Sequence, residues 1–173
     1  MLKLKAILNV IKPCVESDFY IPIKVRFGHW NNNTEPRNCL GIKNASGTSL
    51  FEIGLSEKSG EIKYITLVLS PKICSEMPLR KQPVTTKVGL PAFDMQEWEG
   101  RDYYANEIVD FQVYLKDNHV LIEFSPNEID LTVVNEGYAF GFDKNKFLCT
   151  IELDLSNTEK DLFEESLRTR DKL

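Results

Sequence analysis

Val109-Asp110-Phe111-Gln112-Val113-Tyr114-Leu115-Lys116-Asp117-Asn118-His119-Val120-Leu121-Ile122-Glu123-Phe124 is the stretch whose reading decides the fold. Val109, Phe111, Val113 and Leu115 share one face of an extended chain and the polar residues between them share the other. That is the alternation of an antiparallel strand with one side buried. Asp117-Asn118 are residue types that tolerate positive φ, so a tight hairpin into residues 119–124 follows. Ser125-Pro126-Asn127 ends the second strand.

Working outward, the same period of two recurs. Tyr138, Phe140 and Phe142 fall on one face, Asp143-Lys144-Asn145-Lys146 reads as a turn, and Phe147, Cys149, Ile151, Leu153 and Leu155 continue a second hairpin. Cys149 on that face is a small core residue. In a third hairpin Phe51, Ile53 and Leu55 alternate with Glu52 and Gly54, Ser59-Gly60 turns, and residues 62–69 are apolar on both faces, as a central strand requires. Residues 18–27 form a further strand, which Pro22, unable to donate to a ladder, places at an edge or a bulge. Leu2 and Leu4 alternating with Lys3 and Lys5 suit a strand. Residues 31–36 and 71–91 read as loops, the second carrying four prolines and an edge strand near residues 84–88.

Two helix signals occur. Ser156-Asn157-Thr158-Glu159 matches a capping box opening a C-terminal helix over about 157–170, with Leu162, Phe163 and Leu167 as its apolar stripe. Asp94 with Glu97 and Gly100 marks a shorter turn. The expectation is one domain over residues 1–173: mainly β (α+β the alternative), antiparallel sheets built from hairpins into a sandwich or half-barrel, with a C-terminal α-helix.

Composition excludes several function classes. Hydrophobic residues at 42% and charged residues at 27% belong to a folded globular chain. No stretch approaches the ~20 apolar residues that span a bilayer, and the apolar run after Lys5 is too short for a secretion signal. Residue 1 is therefore read as the mature start of a cytoplasmic protein whose four cysteines stay reduced. No Cys pair has C-x-x-C spacing and no glycine-rich phosphate loop occurs. The two histidines, His29 and His119, leave a metal site or catalytic triad little to draw on. His119 reads as a solvated turn residue, and His29-Trp30 as packing. No catalytic residue, metal site or cofactor is assigned.

Charge carries the functional reading. The net charge is −5, yet residues 1–86 hold 12 Lys/Arg against 7 Asp/Glu, and residues 87–173 hold 9 against 19. Asp94, Glu97, Glu99, Asp102, Glu107 and Asp110 are interrupted by Arg101 alone and interleaved with Phe93, Trp98, Tyr103 and Tyr104. Aromatics among carboxylates suit an interface: the rings supply contact area while the negative field steers a cationic partner. The expected contact residues are Asp94, Glu97, Trp98, Glu99, Asp102, Tyr103, Tyr104, Glu107 and Asp110. No Lys/Arg run offers a nucleic-acid surface, and no membrane partner is expected.

Gly137-Tyr138-Ala139-Phe140-Gly141-Phe142-Asp143, Ile151-Glu152-Leu153-Asp154-Leu155-Ser156 with its short helix, and Phe51-Glu52-Ile53-Gly54-Leu55 before Gly60-Glu61-Ile62 and Ile65-Thr66-Leu67-Val68 cover about a third of the chain. In these segments it resembles bacterial immunity proteins of polymorphic-toxin and contact-dependent growth inhibition systems. The resemblance implies a non-catalytic protein, monomer or weak homodimer, that binds and neutralises a cognate basic toxin, often a nuclease. Two alternatives stand beside it: a small-molecule binder or enzyme with a sheet-enclosed pocket lined by Trp30, Trp98 and tyrosines, and an assembly subunit pairing through edge strands.

Overall fold

The computed structural model describes residues 1–16, 18, 20–28, 37–98 and 103–170, without the side chains of Arg37, Glu97, Thr169 and Arg170. His29, Trp30, residues 31–36, Glu99, Gly100, Arg101 and Asp102 lie outside the described residues. The first strands are β1 (Leu4–Leu8), β2 (Pro13–Val15), β3 (Ile23–Phe27), β4 (Arg37–Lys43), β5 (Leu50–Ser56), β6 (Ile62–Leu69), β7 (Ile73–Cys74) and β8 (Thr85–Val88). Then come β9 (Leu90–Phe93), a 3-10 turn (Gln96–Trp98), β10 (Tyr104–Ile108), β11 (Gln112–Lys116), β12 (His119–Glu123), β13 (Leu131–Asn135), β14 (Tyr138–Phe142), β15 (Leu148–Asp154) and the helix α1 (Asn157–Arg170).

The expected hairpins form the centres of two sheets. β5 and β6 sit mid-sheet in the order β10-β4-β5-β6-β3-β2, and β11, β12, β15 and β14 are consecutive in the order β7-β11-β12-β15-β14-β13-β8. Asp117 takes φ 55° in the β11–β12 turn, as its short polar side chain permits. Every parallel pair (β10–β4, β11–β7, β13–β8) lies at a sheet margin. Hairpins supply only antiparallel neighbours; these three margins are filled by strands arriving through longer connections.

The two sheets face each other across one apolar core. Phe27 of β3 meets Tyr138 edge-on at 5.5 Å between ring centres and Phe140 at 6.0 Å, while Phe51 of β5 meets Phe124 at 5.3 Å and Phe111 at 6.2 Å. These rings join sheet to sheet, so the fold is the expected sandwich, mainly β. The β1–β9 ribbon closes one flank, bridging to Phe147 through Lys3 and to Glu61 through Ala92, with Phe93 against Phe142. Asn135, fully buried, grips the Ile11 peptide at both ends: its Oδ1 accepts from Ile11 N and its Nδ2 donates to Ile11 O. A buried amide satisfied this way costs nothing in orphaned groups.

Four expectations need correction. The strand of residues 18–27 begins only at Ile23, because the Asp18 carboxylate accepts from Tyr20 N and Ile21 N and holds the chain in a turn. β3 is not an edge, since β2 pairs outside it; Pro22 precedes the ladder and has no donor to supply. In β15 a bulge opposite Gly141 and Phe142 turns Leu148 into the core alongside the buried Cys149, leaving Phe147 half-buried. β13 occupies a segment with no expected strand. It is set by a hairpin turn with both Glu136 (φ 39°) and Gly137 (φ 83°) left-handed.

The capping box is in place: Ser156 N donates to Glu159 Oε2 at 2.7 Å and Glu159 N to Ser156 Oγ at 3.3 Å. α1 buries Phe163 and Ser166 and keeps its other face wet. Ser156→Ala is expected to lower stability by about 1 kcal/mol, read as an earlier urea midpoint at unchanged slope.

The proline-rich stretch resolves into β7, a connection over residues 75–84, and the expected edge strand, β8. β7 and β8 lie at opposite margins of the seven-stranded sheet. Six inter-strand steps make that width roughly 29 Å, and ten extended residues reach about 33 Å, so the connection is a strap with little slack. Arg80 and Lys81 pin it by ion pairs to Glu123 and Glu128.

Candidate protein-docking edge

β10 is built by its pairing with β4, in even register from Tyr104↔Cys39 to Ile108↔Lys43. Alternation sends Tyr104, Asn106 and Ile108 to the outer face of the six-stranded sheet and Ala105 and Glu107 toward the core. Tyr104 lies flat across β4 because Gly41 offers no side chain there; a Cβ at Gly41 would stand 2.5 Å from the phenol oxygen. The hydroxyl thereby reaches β5 and donates to Glu52 Oε1 at 3.0 Å. Partial burial, and then the Glu52 carboxylate, push this phenol up to about 12, so it stays a donor throughout the physiological range.

The expected contact residues separate into three groups. Tyr103 (63% exposed), Tyr104 (43%) and Asp110 stand open along the β10 edge, joined by Ile108 (61%), which the sequence reading passed over. Ile108 was visible as the third member of the Tyr104/Asn106/Ile108 alternation, although alternation alone does not say which face is wet. Asp94, Trp98 and Glu107 converge instead on the inner side, around a cleft of about 200 Å³. There Asp94 Oδ1 caps the 3-10 turn at Gln96 N, 3.1 Å away, and Glu107 takes the Met1 ammonium at 2.6 Å. Trp98 is only 9% exposed and belongs to the core, so its ring contributes to stability where a surface anchor was expected. The Glu97 side chain, Glu99 and Asp102 lie outside the described residues.

The remaining acidic residues do not all join this edge. Glu123, Glu128, Glu152 and Asp154 lie on the other sheet or its loops, each beside a cation or imidazole. His119 bridges two of them, with Nδ1 2.8 Å from Asp154 Oδ1 and Nε2 3.2 Å from Glu152 Oε2, a more partnered setting than a solvated turn residue. Among the described residues no hydroxyl or thiol is bonded to this imidazole, which a nucleophile-activating base would need. Asp143 is consumed by its own turn, accepting from Asn145 N, Phe147 N and Asn127 Nδ2.

Two further surface hollows, of about 400 and 320 Å³, flank Asn127, Glu128 and Ile129 beside the strap, and no tryptophan or tyrosine lines either. Trp98 lines the small cleft, and no tyrosine joins it there among the described residues. None of the four cysteines is in a disulfide, and burial pushes the Cys149 thiol up, which makes it a poor nucleophile. Among the described residues no three His, Cys, Asp or Glu side chains converge as a metal site requires, and no helix is long and apolar enough to cross a membrane. The chain matches no family model, and no curated protein is significantly similar to it.

Proposed function

We propose that this chain is a cytoplasmic, non-catalytic immunity protein that binds a basic toxin one-to-one through the β10 edge and blocks it. The observation that carries the reading is the row of open apolar and aromatic side chains, Tyr103, Tyr104 and Ile108, with the exposed Asp110 two residues beyond Ile108 and the Tyr104 hydroxyl bonded to Glu52. Exposed rings on the same edge as an open carboxylate are the composition of a docking surface whose partner brings cations.

In toxin–immunity systems the two genes adjoin, so the partner to titrate is the basic C-terminal module of the neighbouring gene's product. Asp110→Lys is expected to slow association about five-fold at low salt and flatten its salt dependence. Tyr103→Ala is expected to weaken binding by about 2 kcal/mol through faster dissociation. Stopped-flow association and dissociation rates check both. Unchanged rates in both variants, or a neighbouring product without a basic module, would overturn the proposal.

A further inference from the structure

We infer that the partner is held by strand addition: an extended, cationic segment pairs with the free side of β10 and becomes the seventh strand of its sheet. This rests on the basic-partner reading above and specifies how that partner is gripped. The backbone supplies the first observation. Cys39 N donates to Tyr103 O at 2.7 Å and Val109 N to Lys43 O at 2.9 Å, so the odd-numbered residues of the segment face β4. In a parallel ladder alternate residues serve one neighbour. The N–H and C=O groups of Tyr104, Asn106 and Ile108 therefore point away from the sheet, and among the described residues none of them has a partner.

The second observation is a comparison of margins. Sheets protect their edges with proline, lysine, bulges or brevity. β2 has three residues and starts with Pro13, β7 has two, and β8 has four with Lys87 among them. The β1–β9 ribbon is stitched to both sheets through Lys3 and Ala92. β10 has five residues in unbroken register, with no proline, glycine, lysine or arginine. It is the margin left in a state to receive a strand.

Charge selects the occupant. Glu107 turns inward and is taken by the Met1 ammonium, so the open carboxylate at this margin is Asp110, two residues beyond β10; with the chain at −5 in all, a second copy brings like charge whereas a cationic segment meets its complement. The outer-face side chains Tyr104 and Ile108 ask for an incoming strand with β-branched or aromatic residues opposite them. The segment that fits alternates such residues with lysine or arginine.

The test is amide exchange of the full chain, followed by NMR, with an alternating Lys-Val octapeptide as probe at about 1 mM, where a lone strand without tertiary contacts binds. In the free protein Ala105 and Glu107 amides are expected to exchange slowly and those of Tyr104, Asn106 and Ile108 fast. The peptide should slow these three about ten-fold or more. A peptide of equal charge interrupted by proline should not slow them, and Asn106→Pro, but not Asn106→Ala, should abolish the effect. Equal binding of both peptides without protection of these amides overturns strand addition and leaves the basic-partner reading standing. Equal protection by a neutral Thr-Val octapeptide overturns the cationic occupant instead. Protection that grows with protein concentration in the absence of peptide assigns the edge to a second copy and overturns the inference.

Discussion

Phe27→Ala is expected to destabilise the protein by about 4 kcal/mol, close to the upper end for a core truncation. Phe27 ends β3, is essentially inaccessible, and is the ring through which the six-stranded sheet touches both Tyr138 and Phe140 of the seven-stranded one. Removing it takes away a large apolar side chain and both ring contacts. It also opens a void between two hydrogen-bonded sheets, neither of which can collapse inward without breaking its ladders. Urea unfolding by tryptophan fluorescence reads the loss as a lower midpoint. A cost under about 1 kcal/mol would mean that the sheets do not pack through this ring.

The second large effect is expected at Gly60, where alanine should cost about 3 kcal/mol. Gly60 closes the β5–β6 hairpin at φ +69°, and a Cβ there would lie 2.0 Å from the Phe93 carbonyl oxygen. That neighbour is backbone and cannot swing aside. The Phe93 N to Gly60 O bond of 2.8 Å, which ties β9 to the hairpin, would stretch or break. Gly47 is the control: its φ is +72° but nothing lies within 4 Å of a Cβ, so Gly47→Ala carries the left-handed cost alone, about 1 kcal/mol. Equal losses in the two variants would show that φ, and not the close approach of β9, sets the demand for glycine at residue 60.

Legibility in the sequence followed the range of the interaction. The Asp117-Asn118 hairpin, the Phe140 and Ile151 faces and the Ser156/Glu159 capping box depend on residues a few positions apart, and each stands as read. The misreadings have distant causes. Pro22 suggested an edge for β3, but β2 arrives from the preceding segment to cover it. A strict period of two puts Phe147 inside, and one bulge resets the count. β13 carries no local signal because Glu136 is an unusual residue at positive φ, and only the pairing of Val133 with Phe140 makes the turn worth its strain.

The candidate edge divides in the same way. The mixture of carboxylates and rings between residues 94 and 110 was evident from the order of residues alone. Which of them are offered to solvent follows from a parallel pairing with β4, more than sixty positions away. That contact turns Tyr104 and Ile108 outward, lets Tyr104 lie over Gly41 to reach Glu52, and leaves Glu107 on the inner side beside Met1.

What the order of residues determined by itself was the period: where the chain is extended, where it reverses, which side of each strand is apolar and where the terminal helix begins. Those properties arise from local sterics and from hydrophobicity repeating every two residues, and both are written in neighbouring positions. Tertiary structure decided which strands stand side by side, which margins stay unpaired and which acidic residues keep their charge free. Pairing partners are chosen by closing a shared core, and the energy of that choice belongs to residues far apart in the chain.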